Sequence, residues 1–178
     1  SKKQIVVSRS FGQRISSLKE LRPIVSNFAV RASEKLRNEK QKCSQVSVFV
    51  RTSPFNKNKP QHSDLKTIEL FTPTNDTRDI LAAAKKGLLP IFRPGYDYAK
   101  AGIVLNKFTG EHVKQYSLFK DPNDPKQNTR LMKYLDQMNN YETQIYYASQ
   151  NTKKWSPMKQ NMTSPKYTTN WYDLPMVN

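Results

Sequence analysis

Two histidines, one cysteine and a scatter of carboxylates are the groups from which this chain could build a reactive centre. His62 falls in a turn-rich stretch and His112 stands just before the run from Gln115 to Phe119, with no second His or Cys at ligand spacing, so no metal site is expected. Cys43 opens a strand-like run with no His near it in sequence and reads as a small buried hydrophobe rather than a nucleophile. Asp76 and Asp79 precede a helical pattern, where acids complement the positive dipole end, so they read as caps rather than catalysts. The five glycines form no phosphate-cradling loop. The remaining chemistry is that of binding. The chain holds 30 Lys and Arg against 14 Asp and Glu, a net charge of +16, a field that draws polyanions and is screened by salt. Nucleic acid leads as the partner, with an anionic membrane surface as the rival.

No apolar run approaches the ~20 residues that span a bilayer, and the start, Ser1-Lys2-Lys3-Gln4, does not read as a signal peptide. A single cysteine suits a reducing, cytoplasmic setting. The first residue is Ser rather than Met, which reads as a fragment of something longer.

The elements that would position the basic groups follow from periodicity. Ile5 to Phe11 reads as a strand punctuated by Gly12. Ser17-Leu18-Lys19-Glu20 spells a capping box. Behind it Leu18, Leu21, Val25, Phe28, Ala29, Ala32 and Leu36 line one helical face to about Gln41, with Pro23 expected to kink the first turn or move the start to about Arg22. Cys43 to Thr52 alternates, Val46, Val48 and Val50 against Gln45, Ser47, Phe49 and Arg51, as a half-buried strand does. Leu65 to Thr72 is a third strand, and Arg78 to about Phe92 a second helix. Tyr98 to Leu105 is a fourth strand, with Ala99, Ala101, Ile103 and Leu105 inward. The order β-α-β-β-α-β over residues 5 to 110 implies an α+β, ferredoxin-like domain: a four-stranded antiparallel sheet with both helices on one face and the other face free.

The charge sits in that domain. Up to Gly110 the chain carries 21 Lys and Arg against 8 acids, a net +13, and from Glu111 onward 9 against 6, a net +3. On the free face Arg9, Arg51, Lys66 and Lys100 are expected, one per strand, joined by Arg14, Lys57 and Lys59 from loops. Hydroxyls at Ser8, Ser10, Thr52, Ser53, Thr72 and Thr74 lie near strand ends, where they could bond phosphate oxygens. RNA-recognition motifs share this element order, but the third strand, "LKTIELFT", lacks their aromatic signature. A stand-alone RNA module would have to use Phe71 or Tyr98. A protein-interaction adaptor without DNA binding is the third alternative.

After Glu111 the texture changes. Lys120 to Asn128 reads as loop, followed by a short amphipathic helix around Leu131, Met132, Leu135 and Met138, a strand-like "TQIYYAS", and a Pro-bearing aromatic tail. That tail is too short for its own core and is expected to dock on the domain or on a partner.

Several stretches, "VVSRSFGQRISSLKELRPIVS", "FVRTSPF", "FTPTNDTRDI", "YAKAGIVL" and "SPKYTTNWYDLP", resemble in order the C-terminal part of the UmuC family, the polymerase subunits of the SOS-induced bacterial DNA polymerase V, within the Y family of translesion polymerases. The resemblance runs from about Val6 to Val177. It implies a DNA-binding little finger at 5–110, a clamp-binding peptide and linker at 111–128, and a C-terminal extension at 129–178. Carried over by position, Arg9, Ser10, Arg14, Arg51, Thr52, Ser53, Thr72 and Thr74 become contacts to the backbone of duplex primer-template DNA; Lys66 and Lys100 rest on strand geometry. Gln115, Leu118 and Phe119 match a Gln-x-x-Leu-Phe peptide for the bacterial sliding clamp, whereas the residues alone allow a minor packing contact. Trp155, Tyr167, Trp171 and Leu174 become anchors for the RecA filament and the processed UmuD dimer, or for the domain itself. The family's palm, with its Mg2+ carboxylates, would lie upstream, so this chain alone is not expected to polymerise DNA. A cytoplasmic, nucleoid-associated location follows from the resemblance.

Overall fold

The computed structural model describes residues 2–56, 58–113, 125–140, 145–150 and 164–174. Its order is β1 (Ile5–Ile15), α1 (Leu18–Asn38), β2 (Gln41–Thr52), β3 (Ser63–Thr74), α2 (Thr77–Ile91), β4 (Tyr98–Gly110), α3 (Pro125–Asn140) and a short 3-10 turn at Trp171–Asp173. β1 runs past Gly12 and absorbs it in an irregularity between Ser10 and Ile15. α1 begins where the capping box places it: Ser17 Oγ accepts from the Lys19 amide at 3.2 Å, and Pro23 is accommodated inside the helix. Asp76, not a residue of the helix itself, caps α2 by accepting from the Arg78 amide at 2.8 Å.

All strand pairs are antiparallel and the sheet order is β1-β4-β2-β3. Element order and the one-sided helix layer are those expected. The strand order adds what periodicity cannot supply: the second and fourth strands are central, not the first and third as the ferredoxin-like label implies. β1 and β3 form the edges. Each β-α-β unit is split by one intervening strand, β4 between β1 and β2, and β2 between β3 and β4.

The core lies between the sheet's helix side and the two helices. Leu21, Leu36, Ile80, Val46, Val48, Val50, Ala101, Ile103 and Leu105 are fully buried there, each large one contributing about 1.5–3 kcal/mol. Cys43 belongs to this layer, and burial pushes its thiol up to about 12. Tyr98 is also fully buried, its hydroxyl accepting from the Arg93 amide at 2.9 Å and donating to the Arg93 carbonyl at 3.2 Å.

The C-terminal segment lies on the outer side of the helix layer. α3 starts at Pro125, so the stretch expected to be loop to Asn128 is partly helix; Pro is well suited to a first helical turn because its missing amide would be unpaired there anyway. Of the four residues expected to form its apolar face, Met132 is buried while Leu131 and Met138 are exposed. Residues 145–150 form an irregular stretch and turn rather than the expected strand. Tyr147 packs against the core, its hydroxyl donating to Met132 Sδ at 3.6 Å.

Two outcomes are expected. Native Cys43 resists alkylation at neutral pH, since the thiolate is the nucleophile, and labels only when the chain is unfolded; rapid native labelling would contradict its burial. Gly102→Ala brings a Cβ to 2.4 Å from Ser8 Cβ and 2.6 Å from the Phe49 ring. The strain lowers stability by about 1–3 kcal/mol, read as a drop in the urea midpoint.

Candidate nucleic-acid interface

Because strand side chains alternate, register decides which residues share a face. Lys100 is opposite Ser10 on β1 and Arg51 on β2, and Arg51 is opposite Ser63 on β3. These four make one row across the uncovered face. The next row is Ser8, Gly102, Phe49 and Leu65, and the next Val6, Val104, Ser47 and Thr67. A last row holds Asn106, Gln45 and Glu69, with Gln4 donating to Asn106 Oδ1 at 2.9 Å. The face therefore has polarity along the strands: cationic at one end, weakly apolar in the middle and neutral at the other.

At the cationic end Arg14, Arg51 and Lys100 form no ion pair with any described residue. Lys59 pairs with Asp97 at 2.5 Å. Arg14, Ser53, Asn56, Lys59 and Asp97 line a cavity of about 40 Å³, with room for a few waters and not for a base. In the middle, the Phe49 ring lies over Gly102, which has no side chain to lift it, so the face stays flat. At the neutral end Glu69 receives Lys107 Nζ at 2.9 Å and Gln45 Nε2 at 2.8 Å. Those hydrogen bonds hold its carboxyl below the usual carboxylate range.

The structure thus brings together Ser10, Arg14, Arg51, Ser53 and Lys100. It separates others from them. Arg9 is opposite Ala101 and Lys66 opposite Val48, both core-facing positions. These two cations lie in helix-side rows at opposite edges of the sheet, exposed but not on the open face. Thr52 is buried, and its hydroxyl accepts from the His62 amide at 3.0 Å. Thr74 Oγ1 donates to Asp79 at 2.8 Å and accepts from the Asp76 amide at 3.0 Å, so it shapes the entry to α2. Thr72 sits in the irregular stretch of β3 near that end, away from Lys100. His62, read as solvated, has its Nε2 3.0 Å from the Ile91 carbonyl and its ring against Tyr96.

Phe49 and Leu65 on the open face were not among the expected site residues. The signal was present: Phe49 falls on the polar side of β2, and Gly102 interrupts β4, as glycine does where something approaches the backbone closely. Tyr98, one of two aromatics an RNA module would need, is buried under the helices; Phe71 is exposed. Lys57, Gln115, Leu118, Phe119 and Trp155 lie outside the described residues. Tyr167, Trp171 and Leu174 are exposed, Trp171 by 86%. Among the described residues no cluster of His, Cys, Asp or Glu could hold a metal ion, and no helix is long and apolar enough to cross a membrane.

Comparison with known proteins gives this geometry its relatives. Residues 129–177 match a domain of unknown function, DUF4113. The chain is 43% identical over 179 residues to protein UmuC of Salmonella typhimurium, covering 99% of this chain and 42% of that protein. It is also 43% identical to protein ImpB of the same organism, with the same coverage, and 41% identical to protein MucB of Escherichia coli. It therefore spans about two fifths of the length of these relatives. A chain from the complex of a beta-clamp processivity factor and the little finger domain of PolIV aligns with a TM-score of 0.45 and 15% identity, over 66% of this chain and 99% of that one. Residues 2–118 match the model of the impB/mucB/samB family C-terminal domain. With that match spanning well over half of its length, the chain belongs to the impB/mucB/samB family, and what it carries is that family's C-terminal domain.

Proposed function

We propose that this chain is the DNA-holding and partner-docking C-terminal part of a UmuC-type translesion DNA polymerase, and that the open sheet face lies along duplex primer-template DNA. One observation carries this reading: cations that form no ion pair with any described residue, Arg51 and Lys100 in one row and Arg14 beside it, crowd one end of a sheet face that the described helices leave uncovered. Ser10, Ser63 and Ser53 stand with them as neutral donors. Such a set neutralises phosphates and fixes position without reading base sequence. A flat, mildly apolar middle around Phe49 offers contact to sugars, and Glu69, the one acid among the described residues of the strand rows on this face, is already neutralised by Lys107. Arg9 and Lys66 reach DNA only around the sheet edges, as outlying contacts to a wrapped backbone.

Polymerisation itself, with Mg2+ held by palm carboxylates, is assigned to the part of the relatives' length that this chain does not span. Gln115, Leu118 and Phe119 are assigned to the sliding clamp. Their order is that of a short peptide whose Leu-Phe pair fills an apolar pocket while the Gln orients it. The exposure of Tyr167, Trp171 and Leu174 supports their use, with Trp155, as anchors for a UmuD-type dimer or a RecA filament in the bacterial cytoplasm, at the nucleoid.

Replacing Arg51 and Lys100 together by Ala weakens duplex binding and reduces the slope of log affinity against log salt by about 2, one per lost phosphate contact. Lys66→Ala, in a helix-side row, changes that slope by clearly less than 1. A slope indifferent to Arg51 and Lys100, or stronger binding to single-stranded RNA than to duplex DNA at both low and moderate salt, would sink the reading. Leu118→Ala with Phe119→Ala abolishes clamp binding in a pull-down and leaves DNA affinity unchanged. A parallel collapse of DNA binding would instead make the pair part of the fold.

A further inference from the structure

The helix layer carries a second polar centre, remote from the open sheet face. Arg37, near the end of α1, has a side chain only 8% exposed and uses three nitrogens at once. Its Nε and Nη2 donate to the two carboxylate oxygens of Asp136 on α3, both at 2.6 Å. Its Nη1 donates to the Asn75 carbonyl at 2.8 Å and to Thr77 Oγ1 at 2.9 Å, at the entry to α2. Met132, one turn before Asp136, is buried, and Tyr147 closes over it. A second anchor lies ten residues back along α1, about 15 Å away, where Gln150 Nε2 donates to Asn27 Oδ1 at 3.2 Å. These contacts join the two matched families, 2–118 and 129–177.

Glu34 sits one turn before Arg37 on the same helix, at the spacing that brings side chains together. It is half-buried, with Asp136 from α3 and Arg31 and Arg37 from α1 as the charged groups around it. A second carboxylate thus stands within one helical turn of the guanidinium that Asp136 holds. We propose that the Arg37–Asp136 pair is a releasable latch that holds the C-terminal segment on the helix layer, with Glu34 as the carboxylate that takes over Arg37 when the segment lifts. Arg37 then keeps a partner in both states, which removes the penalty of leaving a buried charge alone. The surface that is the segment's seat when latched becomes, when open, a polar recess bordered by Thr77 and the Arg37–Glu34 pair, while Met132 and Tyr147 are freed.

The exchange is linked to a proton. In the latched state burial, and then the Asp136 charge, raise the Glu34 carboxyl above its ordinary value. A group that holds its proton more tightly when latched favours the latch in acid. That contribution is complete below the ordinary carboxylate value and is lost as pH rises through the raised one. With Glu34 ionised, the latch is weaker than it would be with a neutral residue there.

Hydrogen exchange of the full chain tests this, read separately for α3 and for the central strands β2 and β4. Asp136→Asn is expected to speed exchange of the α3 amides by roughly 10- to 100-fold while β2 and β4 keep their protection. Glu34→Gln is expected to slow α3 exchange by about three- to tenfold near neutral pH. After correction for intrinsic rates, it also removes the fall in α3 protection as pH rises above the ordinary carboxylate value. Unchanged α3 exchange in Asp136→Asn overturns the latch. So does loss of β2 and β4 protection in step with α3, which makes the pair an ordinary part of the core. Faster α3 exchange in Glu34→Gln overturns the competition, because Glu34 would then support the docked segment.

Discussion

A four-stranded sheet covered by helices on one side obliges each strand to alternate, one residue into the core and the next into the open. Everything else in this chain follows from how that alternation is met. β2 and β4, central and covered, spend their inward positions on Val46, Val48, Val50, Ala101, Ile103 and Leu105, all fully buried. Their outward positions are then free to carry Arg51, Lys100, Phe49 and Gly102. The same helices that make the core also leave the opposite face bare, so the open, cation-ended surface is a by-product of the packing and needs no cavity. A flat, cation-ended face suits a polyanion with a regular backbone and suits a small-molecule substrate poorly.

How far the sequence discloses this depends on where each residue lies in the sheet. The inward valines of β2 announce themselves because a central strand must be apolar on its covered side, and the helices do so because Leu21, Phe28 and Leu36 repeat at helical spacing. Edge strands carry no such obligation. Arg9 and Lys66 sit in rows whose neighbours are buried, yet both are charged, because at an edge the helix layer no longer covers the side chain. A one-residue reading of register therefore puts them on the wrong face. Strand order is hidden for a related reason: alternation states what each strand faces and not which strand lies beside it. The hydroxyls have local partners that the sequence does not show. Thr52 and Thr74 look like phosphate ligands, but one binds the His62 amide and the other the start of α2, local partners that any strand-end hydroxyl can find.

The C-terminal segment is the part least legible beforehand. Met132 and Asp136 are four apart and share a face of α3, but nothing local distinguishes that face from the one bearing Leu131 and Met138. What selects it is Arg37, 99 residues earlier in the chain. A bidentate guanidinium contact has strict geometry and so can set which face of a helix docks, even where the apolar signal is divided. The expected strand around Tyr146 fails for the same reason. Tyr147 is claimed by Met132 and the helix layer before it can pair with a sheet whose edges lie elsewhere.

Charge and placement together explain why the two halves of the chain do not interfere. The domain up to Gly110 holds a net +13 and the rest only +3, so a segment folded back onto the sheet would find little attraction there and would cover the cations of the open face. Docked on the helix layer it meets the largely buried Arg37, whose desolvated guanidinium demands a carboxylate, and the cations of the open face stay uncovered on the far side. The partition is therefore electrostatic as much as steric. Exposed Arg51 and half-exposed Lys100 act at long range and are sensitive to salt, while largely buried Arg37 makes a short-range contact that salt screens far less. A rise in ionic strength should weaken the attraction of the open face for any polyanion well before it loosens the C-terminal segment, because only the first of the two interactions reaches through water.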